Sequence, residues 1–240
     1  MSTYDLKLKS REEIAEGTMA FHLEKPDGFN FKPGQAIDVV IIDPLIADAQ
    51  NNRHAFSIVS APFEAHLTVA TRLRDSVFKR ALKSLATGSP IQIEGPFGSL
   101  TLHNNRARPA VLIAGGIGIT PFMSILRRAT KEQLPQQLVL IYSNRRPEDA
   151  AFLAELQGLE RQNTLFRLVA TMTQMSKSTR SWTGETGMID EDLVKRVSSR
   201  LASPIYYLAG PPVMVEAMRQ TLNHAGVDDD DIRSEEFHGY

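Results

Sequence analysis

The stretch 109–121, PAVLIAGGIGITP, constrains this chain more than any other. Its apolar run 110–114 has the length and β-branched content of a buried strand. The run leads into Gly115, Gly116, Ile117 and Gly118, and Thr120-Pro121 then opens a periodic apolar segment from Phe122. Thr120 suits an N-cap and Pro121 the first helical position. The expected order is strand, glycine turn, helix. Glycines let a backbone approach a ligand closely, and the N–H groups at a helix start favour an anion. Those properties suit a dinucleotide pyrophosphate; a tight strand-to-helix turn without a ligand is the alternative. The spacing departs from G-x-G-x-x-G, because Pro121 stands where the last glycine would be.

The chain has 240 residues, enough for one large or two modest domains. With 42% hydrophobic and 23% charged residues, a real core is expected. A net charge of -1 gives no global basic field for nucleic acid, and the acidic run 228–231 reads as a solvated loop. No stretch approaches the ~18 apolar residues of a membrane helix, and the N-terminus carries no basic-then-apolar signal pattern. A cytoplasmic protein is expected. Cysteine is absent, which removes disulfides, thiolate metal sites, a cysteine nucleophile and a thiolate-held iron–sulfur cluster. Redox chemistry would have to come from an organic cofactor. The six histidines show no ligand spacing, so no metal site is expected.

Up to residue 102, short apolar runs alternate with turns. Segments 6–9, 20–23, 36–42, 55–59, 67–71, 91–94 and 100–102 read as strands. Turn signals such as Pro26-Asp-Gly28 and Pro33-Gly34 separate them. This spacing predicts an antiparallel β-barrel or sandwich. One amphipathic helix, 76–85, interrupts it, with Val77, Phe78, Ala81, Leu82 and Leu85 on one stripe. The polar segment 103–108 reads as a linker, dividing a domain 1–103 from a domain 108–240. Beyond it, expected strands at 110–114, 137–142, 166–171 and 205–209 alternate with helices at 122–132, 147–162, 190–197 and 212–225, and a last strand covers 232–237. This is the pattern of a Rossmann-like α/β domain with a parallel sheet, in which ligands sit at the carboxyl ends of the strands.

Four of those strand ends carry ligand-type residues. The glycine turn follows the first, and Ser143, Arg145 and Arg146 follow the second. Residues 171–180 follow the third, and Gly210, Pro211 and Pro212, with Met214 in the next helix, follow the fourth. A dinucleotide's sugar would lie after the second strand. Arginine there suits a 2′-phosphate through bidentate, charge-assisted hydrogen bonds and favours NADPH over NADH. Two surface arginines before Pro147 are the alternative.

Taken in order, Pro33-Gly34-Gln35, Phe56-Ser57-Ile58 with Pro62, Gly95-Pro-Phe-Gly98, Gly115-Gly-Ile-Gly-Ile-Thr-Pro121, Gly210-Pro-Pro212 with Met214, and the aromatic tail resemble the ferredoxin–NADP⁺ reductase superfamily over essentially the whole chain. The resemblance implies an N-terminal antiparallel flavin barrel and a C-terminal NAD(P) domain. The family's Arg-x-Tyr/Phe-Ser motif is met by His54-Ala55-Phe56-Ser57. By resemblance, Phe56 packs on the isoalloxazine and the catalytic Ser57 hydroxyl bonds near its N5; a core phenylalanine and a strand serine are the alternative. His54 replaces the arginine that meets the flavin phosphates. Arg53 or Arg74 would take that part, or the grip is weakened, which leaves FMN as an alternative to FAD.

Thr71-Arg72-Leu73-Arg74-Asp75-Ser76 resembles the family's Gly-x-x-Ser before the short helix, with Leu73 in place of glycine. Arg72 and Arg74 beside that helix start make an anion site. Ala209 stands where many members carry a cysteine near the nicotinamide. In the tail, Phe237 or Tyr240 would cover the flavin until nicotinamide displaces it, unless Phe237 is buried in the sheet.

The implied activity is hydride transfer from NADPH or NADH to bound FAD, with electrons passed to a separate ferredoxin or flavodoxin. An NAD(P)H:flavin reductase that releases free reduced flavin is the second reading. A regulatory subunit that binds nucleotide without turnover is the third.

Overall fold

The computed structural model describes residues 2–42 and 52–238. The amino-terminal strands are β1 (Ser2–Ala15), β2 (Thr18–Glu24), β3 (Ala36–Ile41), β4 (Arg53–Ser57), β5 (His66–Arg72) and β6 (Pro90–Phe97). They form one antiparallel sheet in the order β4-β3-β6-β1-β2-β5. β1 is longer than its apolar stretch foretold. A register shift between Leu8 and Ser10 lets its first part pair with β6 and its second with β2. The sheet curls until its ends meet, where the Val59 N–H donates to the Thr68 carbonyl at 2.8 Å. Closure of this kind removes exposed strand edges. Leu8, Phe21, Leu23, Ile37, Leu67, Val69 and Ile91 fill the interior, and α1 (Val77–Ser84) adds Phe78 and Leu82. Segment 100–102 is not a strand.

The second sheet is wholly parallel: β7 (Ala110–Gly115), β8 (Leu138–Asn144), β9 (Phe166–Met172), β10 (Glu185–Thr186), β11 (Ile205–Gly210) and β12 (Ile232–Glu236), ordered β10-β9-β8-β7-β11-β12. Every residue of β7 and β11 is buried, as a sheet covered on both faces requires. Helices α2 (Thr120–Lys131) and α3 (Leu153–Gln162) pack over Leu112, Leu140 and Tyr207. Helices α4 (Glu191–Ser198) and α5 (Pro212–His224) pack over Val111, Ile113 and Ile141 on the other face. The strand order reverses at β7, between β8 and β11, which opens a crevice at their carboxyl ends.

Two local expectations change. Segment 147–162 is not one helix: a 3₁₀ turn, Pro147–Asp149, precedes α3, and Phe152 between them takes a left-handed φ of 60°. Thr120 is not a side-chain cap. A 3₁₀ turn over Gly116–Ile119 runs straight into α2, and the buried Thr120 hydroxyl donates to the Ile117 carbonyl at 3.0 Å.

The barrel and the parallel sheet share a core. Ala20, Val59 and Ala70 of the barrel pack in one cluster with Ile117, Phe122 and Ile125. The Ser124 hydroxyl donates to the Ser60 carbonyl at 2.7 Å, and Arg127 pairs with Glu64 of the barrel and Glu155 of α3.

Candidate functional site

A cavity of about 210 Å³ lies on the seam between barrel and parallel sheet. From the sheet, the carboxyl ends of β7, β8, β9 and β11 supply Gly115, Gly116, Ser143, Arg145, Thr173 and Pro211. From the barrel come Arg72 and Arg74, at and just past the end of β5. Ile117, Asn144, Asp149, Met214 and Phe237 complete the wall.

The three glycines of the turn do different work. Gly116 has a φ of 53°, and a Cβ there would meet nothing within 4 Å. Glycine is therefore required for conformation, and open space lies in front of it. A Cβ on Gly118 would lie 2.2 Å from the Ala209 carbonyl oxygen, so this glycine lets the turn pack against β11. A Cβ on Gly115 would strike the Met214 sulfur at 2.0 Å, and Gly210 lies close to the same sulfur. Gly115 and Gly210 together seat Met214 in the cavity wall.

The two arginines after β8 also separate. Arg146 donates to Asp149 at 2.9 and 3.1 Å and to Glu16 of the barrel at 3.0 Å. Asp149 is buried, with a side chain 5% exposed, and pairs with Arg72 at 3.4 Å. The Arg146 hydrogen bonds hold its carboxyl below the ordinary range, and Arg72 and Arg145 add to the effect. Asp149 and Arg146 thus tie the two halves together. Arg145 is exposed, lines the cavity and forms no ion pair among the described residues. Sequence reasoning missed Asp149, although its position three residues past Arg146 on a turn was a usable signal.

In the barrel, alternation along β4 divides the motif. Arg53 turns to the outer face and pairs with Asp38 and Glu94. Ala55 is exposed, like Arg53. His54 and Phe56 share the opposite face. Their rings stack at 4.7 Å, and both lie against Phe78 of α1, at 5.5 and 5.9 Å. Phe56 is 3% exposed and belongs to the barrel core. Burial pushes the His54 pKa down, and its Nδ1 lies 2.8 Å from the Ala55 carbonyl, which fits a neutral ring donating there. Ser57 ends the strand, 4% exposed, and its hydroxyl has no hydrogen-bond partner among the described residues. Residues Arg53 to Ser57 stand outside the 210 Å³ cavity.

Past β5, the buried Thr71 hydroxyl donates to the Arg72 carbonyl, and the half-buried Leu73 N–H donates to the Gly17 carbonyl. Ser76 caps α1, accepting the Lys79 N–H at 3.2 Å. Phe237 is half-buried and forms part of the cavity wall, its N–H donating to the Gly210 carbonyl at 2.9 Å. Tyr240 lies outside the described residues. Glu235, paired in register with Ala209, is pushed up to about 6 by burial. Arg180 lines a separate groove of about 880 Å³ between β1 and α3.

These residues fit a flavin dinucleotide beside a nicotinamide dinucleotide. A buried serine hydroxyl without a partner is costly unless a ligand meets it. The exposed or half-buried arginines at the seam suit phosphates, and Gly116 leaves a backbone that a ligand can approach. A volume of about 210 Å³ is small for a ring system of that size, and Phe237 is one of the side chains that bound it.

The fold is a barrel joined to a parallel α/β sheet, the arrangement of two-domain nucleotide-binding proteins. Residues 112–220 match the family described as the oxidoreductase NAD-binding domain. Among curated relatives, the reductase component of propane 2-monooxygenase from Mycolicibacterium smegmatis is 28% identical over 89% of this chain and 61% of that protein. The glycine betaine monooxygenase reductase subunit of Chromohalobacter salexigens is 26% identical over 92% of this chain and 60% of that protein. The chain therefore spans about three fifths of these relatives' length. Among solved structures, a ferredoxin NADP⁺ reductase from Neisseria gonorrhoeae with bound FAD and NADP superposes with a TM-score of 0.81 at 22% identity, covering 98% of both chains. The whole chain thus shares the fold of ferredoxin NADP⁺ reductase, and its residues 112–220 resemble the oxidoreductase NAD-binding domain.

Proposed function

We propose that this protein is a flavin-dependent NAD(P)H reductase that passes electrons to a separate acceptor. The observation that carries the reading is the seam cavity, where Arg72 and Arg74 of the barrel face the Gly116 turn and Arg145 of the nucleotide sheet. Bound FAD supplies the two-electron acceptor and one-electron donor that no side chain of this cysteine-free chain provides.

The chain's own residues bind, orient and exclude water. Arg72 and Arg74 attract phosphate at the barrel side, and Gly116 admits a pyrophosphate to the start of α2. Arg145 meets a 2′-phosphate, which favours NADPH. The Ser57 hydroxyl donates to or accepts from a ring nitrogen as its protonation changes. Phe237 covers the ring until nicotinamide takes its place. Burial raises Glu235, near the end of β12, to about 6, so it takes up a proton only as pH falls below neutral. Hydride transfer needs contact between the two cofactors rather than a protein acid or base.

The named relatives act as reductase components of oxygenases or as NADH-cytochrome b5 reductase, which supports an external protein acceptor. Ferredoxin or flavodoxin is the acceptor class proposed here, and the cytoplasm is the proposed location. No helix among the described residues is long and apolar enough to cross a membrane.

The deciding experiment is anaerobic reduction of the flavin-loaded protein with NADPH and NADH in parallel, followed by ferredoxin or flavodoxin. Flavin bleaching by NADPH and reoxidation by the added carrier are expected. A protein that neither holds nor reduces FAD or FMN overturns the reading. The neutral His54 at the usual arginine position favours one second reading, a reductase that releases free reduced flavin. Flavin that survives dialysis excludes it.

A further inference from the structure

A second concentration of charge lies away from the seam cavity. A groove of about 550 Å³ opens at the amino edge of the parallel sheet, at the other end of the strands from the 210 Å³ cavity, and the two share no lining residue. The barrel contributes Lys32, ahead of β3, and the linker contributes Arg106. Arg128 comes from the last turn of α2, and Arg233 from β12. No described residue of the lining is an aspartate or glutamate. The chain as a whole has a net charge of -1, so this gathering of cations is local and does not follow from a basic composition.

The cations differ in what they already hold. Arg128 is paired with Glu132 at 2.9 Å, one turn along α2. Lys32, Arg106 and Arg233 form no ion pair among the described residues, and Lys32 and Arg106 are exposed. Arg233 is half-buried, with its guanidinium over the Tyr207 ring at 5.4 Å. It donates to the Thr101 carbonyl and the Tyr207 hydroxyl, each at 3.2 Å, so it is held in place without being neutralised. The floor is fixed as well. Gln136 is buried and donates from Nε2 to the Arg108 carbonyl at 3.0 Å, and the His103 backbone N–H donates to the Tyr207 hydroxyl at 2.9 Å.

Like charges around one concave space repel, and an anion placed among them reverses that cost. A concavity of this size with a fixed polar floor suits a small molecule. Guanidinium forks take phosphate or carboxylate oxygens in pairs. We propose that the groove is a second ligand site, for a small polyanion bearing phosphate or carboxylate groups, held by Lys32, Arg106 and Arg233. Such a ligand bridges the barrel, the linker and the sheet, so its binding favours the closed arrangement of the two halves.

The test is calorimetric titration of the full-length protein with inorganic triphosphate and with citrate at constant ionic strength. Saturable binding of at least one of them is expected, with a rise in melting temperature. Lys32→Ser combined with Arg106→Ser removes two exposed charges that no contact of the fold requires. It is expected to weaken binding by roughly a hundredfold or more, each charge-assisted contact being worth about tenfold to a hundredfold. Arg145→Ser, in the other cavity, is expected to leave the affinity within about twofold, because distant substitutions act independently. Preference for triphosphate assigns phosphate chemistry to the site, and preference for citrate assigns carboxylate chemistry. Loss of binding in Arg145→Ser with retention in the double variant overturns the proposal and places the anion in the nucleotide cavity. Binding of polyglutamate but of neither small anion also overturns it, making the groove a surface for acidic protein. So does the absence of saturable binding of either anion to the wild type.

Discussion

The carboxyl edge of the parallel sheet and strand β4 of the barrel treat their motifs in opposite ways. At the sheet edge, residues far apart in sequence, Gly116, Ser143, Thr173 and Pro211, converge on one cavity. Along β4, neighbours in sequence part company: Arg53 goes to Asp38 outside, Phe56 to the core and Ser57 to the strand end. Parallel strands all point their ends one way, so each following loop reaches the same crevice. Successive residues of a single strand alternate between faces. A motif read across strand ends therefore forecasts a site better than a motif read along a strand.

The largest effect expected from this contrast concerns the glycine turn. Gly118→Val forces a side chain into the Ala209 carbonyl, with the Cβ alone at 2.2 Å. A loss of about 3 kcal/mol or more, or failure to fold, is expected in thermal melts. Gly116→Ala meets no neighbour and carries only left-handed strain, on the order of 1 kcal/mol. Its deficit is expected in dinucleotide affinity instead. Equal melting losses for the two would erase the distinction between a packing glycine and a binding one.

Ser57→Ala is expected to slow flavin reduction by NADPH roughly tenfold to a hundredfold in stopped-flow measurements. The melting temperature of the flavin-free protein should hold or rise, because the hydroxyl has no partner to lose. A fall in stability would mean that the serine belongs to the barrel and not to a ligand.

The arginine pair gives a smaller and more selective effect. Arg145→Glu should lower kcat/KM for NADPH about tenfold to a hundredfold while NADH stays within about twofold. Arg146→Glu should instead lower the melting temperature, since it breaks contacts to Asp149 and Glu16. Reversed outcomes would exchange the two assignments.

Acid sensitivity is the smallest effect. The Asp149 carboxyl is held below its ordinary value by Arg146, so it binds its proton less readily folded than unfolded. Its stabilisation is complete above the ordinary aspartate range and is lost as pH falls through the depressed value. Asp149→Asn should flatten that part of the acid unfolding curve, measured by fluorescence.

Some features were legible because they depend on short-range chemistry. The all-apolar run of β7, the glycines after it and Pro121 specify strand, turn and helix locally, and the structure contains them in that order. The alternation of apolar runs and turns likewise announced an antiparallel sheet followed by a parallel one. The break inside 147–162 was not legible. Phe152 adopts a left-handed conformation that nothing in its neighbours' propensities requires, and tertiary packing around α3 overrides them. The two roles of Arg145 and Arg146 were equally hidden, since they depend on Glu16, a residue 130 positions away.

The amino-acid order alone determined most of the strands, though not the absence of one at 100–102 or the short β10, and which chemistry a cysteine-free chain can support. These follow from backbone sterics, side-chain periodicity and the inventory of functional groups, all of which act within a few residues. Only the tertiary structure decided which charges remain available to a ligand. Arg53 and Arg146 are consumed by carboxylates brought from elsewhere, while Arg145 is left on the cavity wall with no ion pair among the described residues. Electrostatic pairing acts through space between residues that the chain separates, so it is settled when the barrel and the parallel sheet close on one another.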